Sequence, residues 1–280
     1  MFHIHRQVLV ANALLFGVLT LSAGLSAADE NLVADDSSTD NSFGIETGYT
    51  HDSGKYGTRL ETRTSTVPLT LYYDAGHYEF EASLPYTHNS GPAGSIAGRV
   101  RHQTTQARPI VDVQGIGDSS LGVTRDIINN ERSGFSLDLG ANVKLATGDV
   151  HRGLGTGAND YALFTDVSQT IKRLTLTGTA GYTKNGSKGL VVVNGYQENL
   201  RFKNSAYGQL DGSVRLYDQT KLGLSYFAQQ PIAGKDPEEE STGYLSLDLG
   251  KHVDLNLYVL KGFTKASPDR GYGATVRAYF

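Results

Sequence analysis

The chain has no cysteine and no tryptophan, a single methionine and only 7 prolines in 280 residues. Without cysteine there is no disulfide framework, no thiol nucleophile and no thiolate metal site, so stability has to come from hydrogen bonding and burial. Charge is sparse at 19% of residues, and the formal net charge of −4 argues against nucleic acid as a partner. Long apolar runs are absent too, with one exception at the amino terminus. The run from Val8 to Leu25 follows the basic stretch His5-Arg6 and leads to Ser26-Ala27-Ala28 before Asp29. A charged start, an apolar middle and a small-residue end read as a secretory signal peptide over residues 1–28. Its length alone would also permit a membrane-spanning helix, but no second run of that kind follows. Without residues 1–28, 24 Lys plus Arg face 29 Asp plus Glu, a net of −5.

What the chain has in quantity is 33 Gly, 16 Tyr and a two-residue rhythm. Tyr272, Ala274, Val276, Ala278 and Phe280 occupy every second position of the last nine, and the chain stops on Phe280. Period-two alternation describes a strand with one apolar face. A strand of this kind closing on a terminal aromatic is the pattern of bacterial outer-membrane barrels, and Phe280 is the expected signal for the barrel assembly machinery. The mean hydropathy of −0.31 suits such a barrel, whose strands show lipid one face and water the other. Glycine serves close strand packing and turns, and the interfacial belts fall to Tyr and Phe.

Beyond an acidic, Ser-rich tail over 29–41, expected to be disordered, the alternation marks segments near 42–51, 65–73, 77–88, 115–127, 134–146 and 160–169. It continues near 174–184, 204–216, 220–229, 242–250, 253–261 and 271–280, which makes twelve strands in a barrel domain over 42–280. The connections alternate between short ones, such as Asp74-Ala75-Gly76 and Lys172-Arg173, and long ones, such as 89–114 and 185–203. Short periplasmic turns and long outer loops are expected of an outer-membrane barrel with both ends on the periplasmic side. The prediction is an all-β fold, a transmembrane antiparallel β-barrel of outer-membrane type. A soluble β-sandwich alternates in the same way, yet accounts for neither the loop rhythm nor the terminal Phe280.

The inward register collects Glu46, Glu79, Glu81, Asp126, Asp138, Lys144, Asp166, Asp211, Arg215, Lys221, Asp248 and Arg277, eight acids against four bases. Unpaired charge in a dry core is costly, so these residues are expected to line a wet lumen. The longest loop carries Arg99, Arg101, His102 and Arg108, and the three arginines are candidates for a basic constriction facing the acidic wall. No metal site is expected from the scattered histidines, and no cofactor is implied. Asp236-Pro237-Glu238-Glu239-Glu240 reads as a loop tip with carboxylates for divalent cations shared with lipopolysaccharide, against the plainer reading that a charge run is a solvated face. His88 and Ser90 stand two apart with both facing lipid, as in outer-membrane phospholipases, but no Asn or Asp is apparent on the neighbouring segment to orient the His. No catalytic residue is therefore assigned. The glycine-rich run Gly153-Leu154-Gly155-Thr156-Gly157 lacks the following helix that a phosphate loop needs.

Several stretches carry a family resemblance: Ser83-Leu84-Pro85-Tyr86, Gly115-Ile116-Gly117-Asp118, Thr147-Gly148-Asp149, then Gly153 to Gly157 before Asp160-Tyr161. Leu260-Lys261-Gly262-Phe263 with Ser267-Pro268-Asp269 extends it, and Ala146 departs from it where Pro is expected. The chain thereby resembles the outer-membrane transporter family named for the MetA pathway of phenol degradation. That resemblance implies a barrel in the bacterial outer membrane with a transport role linked to small aromatic compounds, and no binding residues. The expected function is a channel for passive uptake of small molecules, aromatic or apolar compounds among them. Expected partners are the small-molecule substrate, outer-membrane lipids and lipopolysaccharide. The alternatives are a phospholipase-type hydrolase and a non-conducting structural or adhesive barrel.

Overall fold

The computed structural model describes residues 41–96, 108–217 and 219–280. The leader assigned to 1–28, the tail up to residue 40, Arg99, Arg101 and His102 lie outside them. The strands are β1 (Ser42–Gly54), β2 (Thr62–Asp74), β3 (Tyr78–Pro92), β4 (Ile110–Ile116), β5 (Ser119–Asn130), β6 (Phe135–Leu145), β7 (Asp160–Ile171) and β8 (Leu174–Lys184). They continue as β9 (Gly189–Val193), β10 (Tyr196–Leu200), β11 (Ser205–Tyr217), β12 (Thr220–Gln229), β13 (Glu238–Asp248), β14 (Val253–Gly262) and β15 (Arg270–Tyr279).

Each barrel strand pairs antiparallel with its neighbours in the chain, and β1 also pairs with β15, so the sheet closes on itself. Closure leaves no edge in the membrane, where an unpaired backbone group would find no water. The strand expected near 115–127 is split. β5 pairs with the first half of β3 and β4 with the second, so the two together occupy one of twelve positions round the barrel. The break falls at Gly117-Asp118, where the Gly117 N–H donates to the Pro85 carbonyl at 2.9 Å. Pro85 in turn faces Pro68 across the β2–β3 ladder. Residues without an N–H are tolerated where the ladder is interrupted or bonded differently.

The outer face is apolar. Leu69, Leu121, Leu163, Leu176, Leu210, Leu224 and Val259 are all exposed, which in water would be a large apolar surface and in lipid is a matched one. Aromatic residues border this band at both ends. At the chain-terminus end Phe43 lies 6.3 Å from Phe280, and Phe80 lies 6.4 Å from Tyr73 and 6.3 Å from Tyr78. At the other end stand Tyr49, Tyr86, Tyr161, Tyr182, Tyr226 and Tyr272. These are the two interfacial girdles. The seam closes at its foot with reciprocal backbone bonds between Phe43 and Phe280, 2.8 and 3.3 Å long.

One expectation is corrected here. The acidic run at 238–240 is not a loop tip but the start of β13, with Glu238 and Glu240 on the buried inner face. Alternation rather than net charge decides its place, since Glu239 between them stays half-exposed on the outer side.

Candidate functional site

Every inward-register residue named above lies on the inner face. Glu46, Glu79, Glu81, Asp138, Lys144, Asp166, Asp211, Lys221 and Arg277 are buried, and Asp126, Arg215 and Asp248 are half-buried. The acids cluster. Asp126, Asp138 and Asp166 are direct cross-strand neighbours on β5, β6 and β7, an arrangement that repulsion disfavours in a sheet. The Thr179 hydroxyl donates to Asp166 at 2.5 Å, and the Tyr244 hydroxyl donates to Asp211 at 3.0 Å. Glu79 and Glu81 continue the acidic stripe onto β3.

The main countercharge is Arg277. Its Nε donates to Glu46 at 2.9 Å, and its guanidinium lies 3.8 Å over the Tyr72 ring. Both ion-pair partners are almost fully buried, at 4% and 2% side-chain exposure. Tyr72, Glu79, Arg277 and Tyr279 border a cavity of about 20 Å³, room for one water.

Six inward aromatics also occupy the interior: Tyr72, Phe164, Tyr207, Phe227, Tyr244 and Tyr258. Most of them face a glycine directly across a ladder, as in Phe164 with Gly140, Tyr207 with Gly181, Tyr244 with Gly223, Tyr258 with Gly273 and Tyr72 with Gly44. A methyl group built on Gly140, Gly181 or Gly223 would overlap the opposing ring. The glycine therefore lets the ring lie flat on the wall instead of projecting across the lumen, which accounts for part of the chain's glycine content.

At the outer end three loops pack together into a cap. The hairpin β9–β10 rises from the loop after β8 and buries Val191, Val193 and Leu200 against Ile96 and Val150, with Phe202 alongside. Arg108 ties the hairpin to the loop after β3. It ion-pairs with Glu198, lies 4.6 Å over the Tyr196 ring and donates to the Ala93 carbonyl at 2.9 Å. Its charge is thus satisfied within the cap, and Arg99 and Arg101 lie outside the described residues.

The glycine-rich run is the third loop, and its chemistry is mechanical. Asp118, at the β4–β5 break, accepts from the Gly148 and Thr156 backbone N–H groups at 3.0 and 2.9 Å. Lys144 donates to Thr156 Oγ1 at 2.5 Å and pairs with Asp160 at 2.5 Å and Asp118 at 3.5 Å. Side chains at Gly148, Gly153 or Gly155 would strike neighbouring backbone or the Asp118 carboxylate. Gly117-Asp118, Thr147-Gly148, Gly153 to Gly157 and Asp160 are therefore parts of one clasp. Lys144 belongs to it rather than to the open wall, a role that sequence spacing alone does not show.

A second correction concerns His88. An acid does stand beside it: Asp112 of β4 bonds His88 Nε2 at 2.5 Å, and Ser90 faces Asp112 across the β3–β4 ladder. The sequence hid this because β4 lies beyond a long loop. No bond between Ser90 and His88 is found among the described residues, and the His88–Asp112 pair is solvent-exposed at 45% and 64%. Among the described residues no group of three or more His, Asp or Glu is placed to hold a metal ion.

Comparison with known proteins agrees with this architecture. Residues 39–280 match the family described as the MetA-pathway of phenol degradation. The fold is similar to the COG4313 outer membrane channel from Pseudomonas putida F1, with a TM-score of 0.69 at 12% identity, covering 89% of this chain and 100% of that one. It is also similar to the NanC porin, with a TM-score of 0.51 at 9% identity over 85% of this chain and 99% of that one. The KdgM porin gives a TM-score of 0.50 at 9% identity with the same coverage. No curated protein matches the sequence.

Proposed function

The chain belongs to the MetA-pathway of phenol degradation family and is a bacterial outer-membrane barrel, and from that premise we propose that it is a narrow, capped channel for passive passage of small molecules. The observation that carries the reading is the acidic stripe on the inner face, from Glu79 and Glu81 through Asp138 and Asp166 to Asp211, below an outer end where three loops are clasped together. A membrane barrel of purely structural purpose has no use for so many desolvated charges, each of which destabilises it. Rings of acid in a pore favour cations and disfavour anions. Neutral compounds meet no such barrier, so small neutral aromatics, the class suggested by the family description, fit the path together with cations.

Single-channel recording in planar bilayers, paired with liposome swelling in size-matched neutral, cationic and anionic solutes, tests this. Small conductance steps with cation preference and uptake of the neutral solute are expected. Anion preference would remove the substrate inference. Absence of both conductance and uptake would favour the second reading, a non-conducting barrel, which the deep burial of the inner face supports.

A further inference from the structure

The outer wall carries a basic patch beside the cap. Arg63 on β2, Arg270 on β15 and Lys261 on β14 all point away from the lumen, alternating with the inward Thr62, Gly271 and Leu260. The ladders bring them level. Ser53 of β1 faces Arg270 on one side and Arg63 on the other, and Lys261 stands one step beyond the Leu260–Gly271 pair, in line with Arg270. The two arginines are well exposed, at 64% and 77%. Arg270 Nε donates to Ser53 at 3.3 Å and Lys261 Nζ to the Asp269 carbonyl at 3.0 Å, so both heads are held near the loop base. Glu61 lies among them, 2.7 Å from Arg63 and 3.9 Å from Arg270, and the Arg63 hydrogen bond holds its carboxyl below the ordinary range.

Two ladder steps towards the membrane centre, Val259 and Tyr272 begin the lipid-facing band. The cations therefore sit at the boundary between apolar band and outer loops, on a chain whose net charge is negative. At that depth on that side the surrounding molecules are outer-leaflet lipids, and the groups there that complement clustered guanidinium and ammonium donors are headgroup phosphates. We propose that Arg63, Arg270 and Lys261 form a binding site for the phosphorylated headgroup of lipopolysaccharide, with Val259 and Tyr272 taking the adjoining acyl chain. Glu61 orients the arginines and limits the affinity.

The test titrates the purified full-length barrel in detergent with lipopolysaccharide and with the same glycolipid after removal of its phosphates, counting bound lipid by native mass spectrometry. Replacing each cation by Ala should weaken binding about fivefold and all three about a hundredfold. Glu61→Gln should tighten binding about threefold, and the dephosphorylated lipid should bind parent and triple variant alike. Lys172→Ala with Arg173→Ala, at the opposite end of the barrel, should change nothing. The proposal fails if the triple variant binds like the parent, if removing the phosphates has no effect, or if the Lys172/Arg173 control loses as much. Should the triple variant not fold, as judged by gel mobility with and without heating, Glu61→Gln decides alone: unchanged or weaker binding overturns the site.

Discussion

Removing the charge of Arg277 is the sharpest probe of whether the barrel interior is dry. In Arg277→Met the side chain keeps its volume and loses its cation, stranding Glu46 at 2% exposure. At an effective dielectric constant of about 20, the lost attraction across 2.9 Å is worth about 6 kcal/mol before solvation is counted. Desolvation offsets part of that, and removal of one partner of a buried pair costs about 3–5 kcal/mol in practice. Loss of the stacking over Tyr72, at 3.8 Å, adds about 1 kcal/mol. The expected net destabilisation is about 5 kcal/mol, read as a shift of the urea midpoint at constant slope in detergent or lipid. Adding Glu46→Gln should recover most of it, because the cost lies in the orphaned carboxylate rather than in the missing bond. If Arg277→Met costs less than about 1 kcal/mol, as exposed pairs do, the pair is hydrated and the reasoning from burial is refuted.

Gly140→Ala should destabilise by about 1–3 kcal/mol through displacement of Phe164, whereas Gly178→Ala, whose new methyl would meet only Leu210 at 3.7 Å, should stay within about 0.5 kcal/mol in the same unfolding assay. Deleting Phe280 removes both reciprocal bonds to Phe43 and the ring contact at the seam, and should lower the yield of heat-modifiable barrel in outer-membrane fractions; normal yield counts against its role as assembly signal. Protease added to intact cells should cut at Lys188 or Lys235 and spare Lys172-Arg173; cleavage at that turn from outside inverts the topology. Phospholipid hydrolysis by the purified protein should be absent in parent and Ser90→Ala alike, and an activity that the substitution abolishes would install Ser90, His88 and Asp112 as a catalytic set.

The strands were legible because a barrel wall leaves a period-two record that neither loops nor net composition can imitate. Tyr272, Ala274, Val276 and Ala278 of β15 read as one apolar face and share the outer one; Glu46, Asp166 and Arg277 read as inward and are inward. Side-chain partnership was not legible. Arg277 and Glu46 are 231 positions apart, and only closure of β1 on β15 makes them neighbours. Asp112 escaped notice beside His88 for the same reason, being on a strand that follows a long loop. The glycine-rich run could be recognised as family-like, yet its purpose depends on Asp118 at the β4–β5 break and Lys144 near the end of β6. Nothing local marks Asp118 as the anchor except its position after Gly115-Ile116-Gly117, and the split of β4 from β5 is the consequence.

Strand number alone leaves the bore undecided: eight strands enclose a filled interior, sixteen or more an aqueous channel, and twelve falls between. Rings pressed flat over Gly140, Gly181, Gly223 and Gly273 stay against the wall and do not occupy the centre. Arg277 and Glu46 pair across the closing β1–β15 ladder, and the outer loops are held by the apolar cluster around Val193 and Leu200, by hydrogen bonds to Asp118 and by the ion pair at Arg108. Flexible side chains and clasped loops can change state by rotamer shifts and by loop opening, whereas rings keyed into a glycine ladder cannot move without disturbing strands. Any change of state at the outer end therefore falls on the clasped loops, whose links are side-chain bonds, before it falls on the glycine-keyed rings.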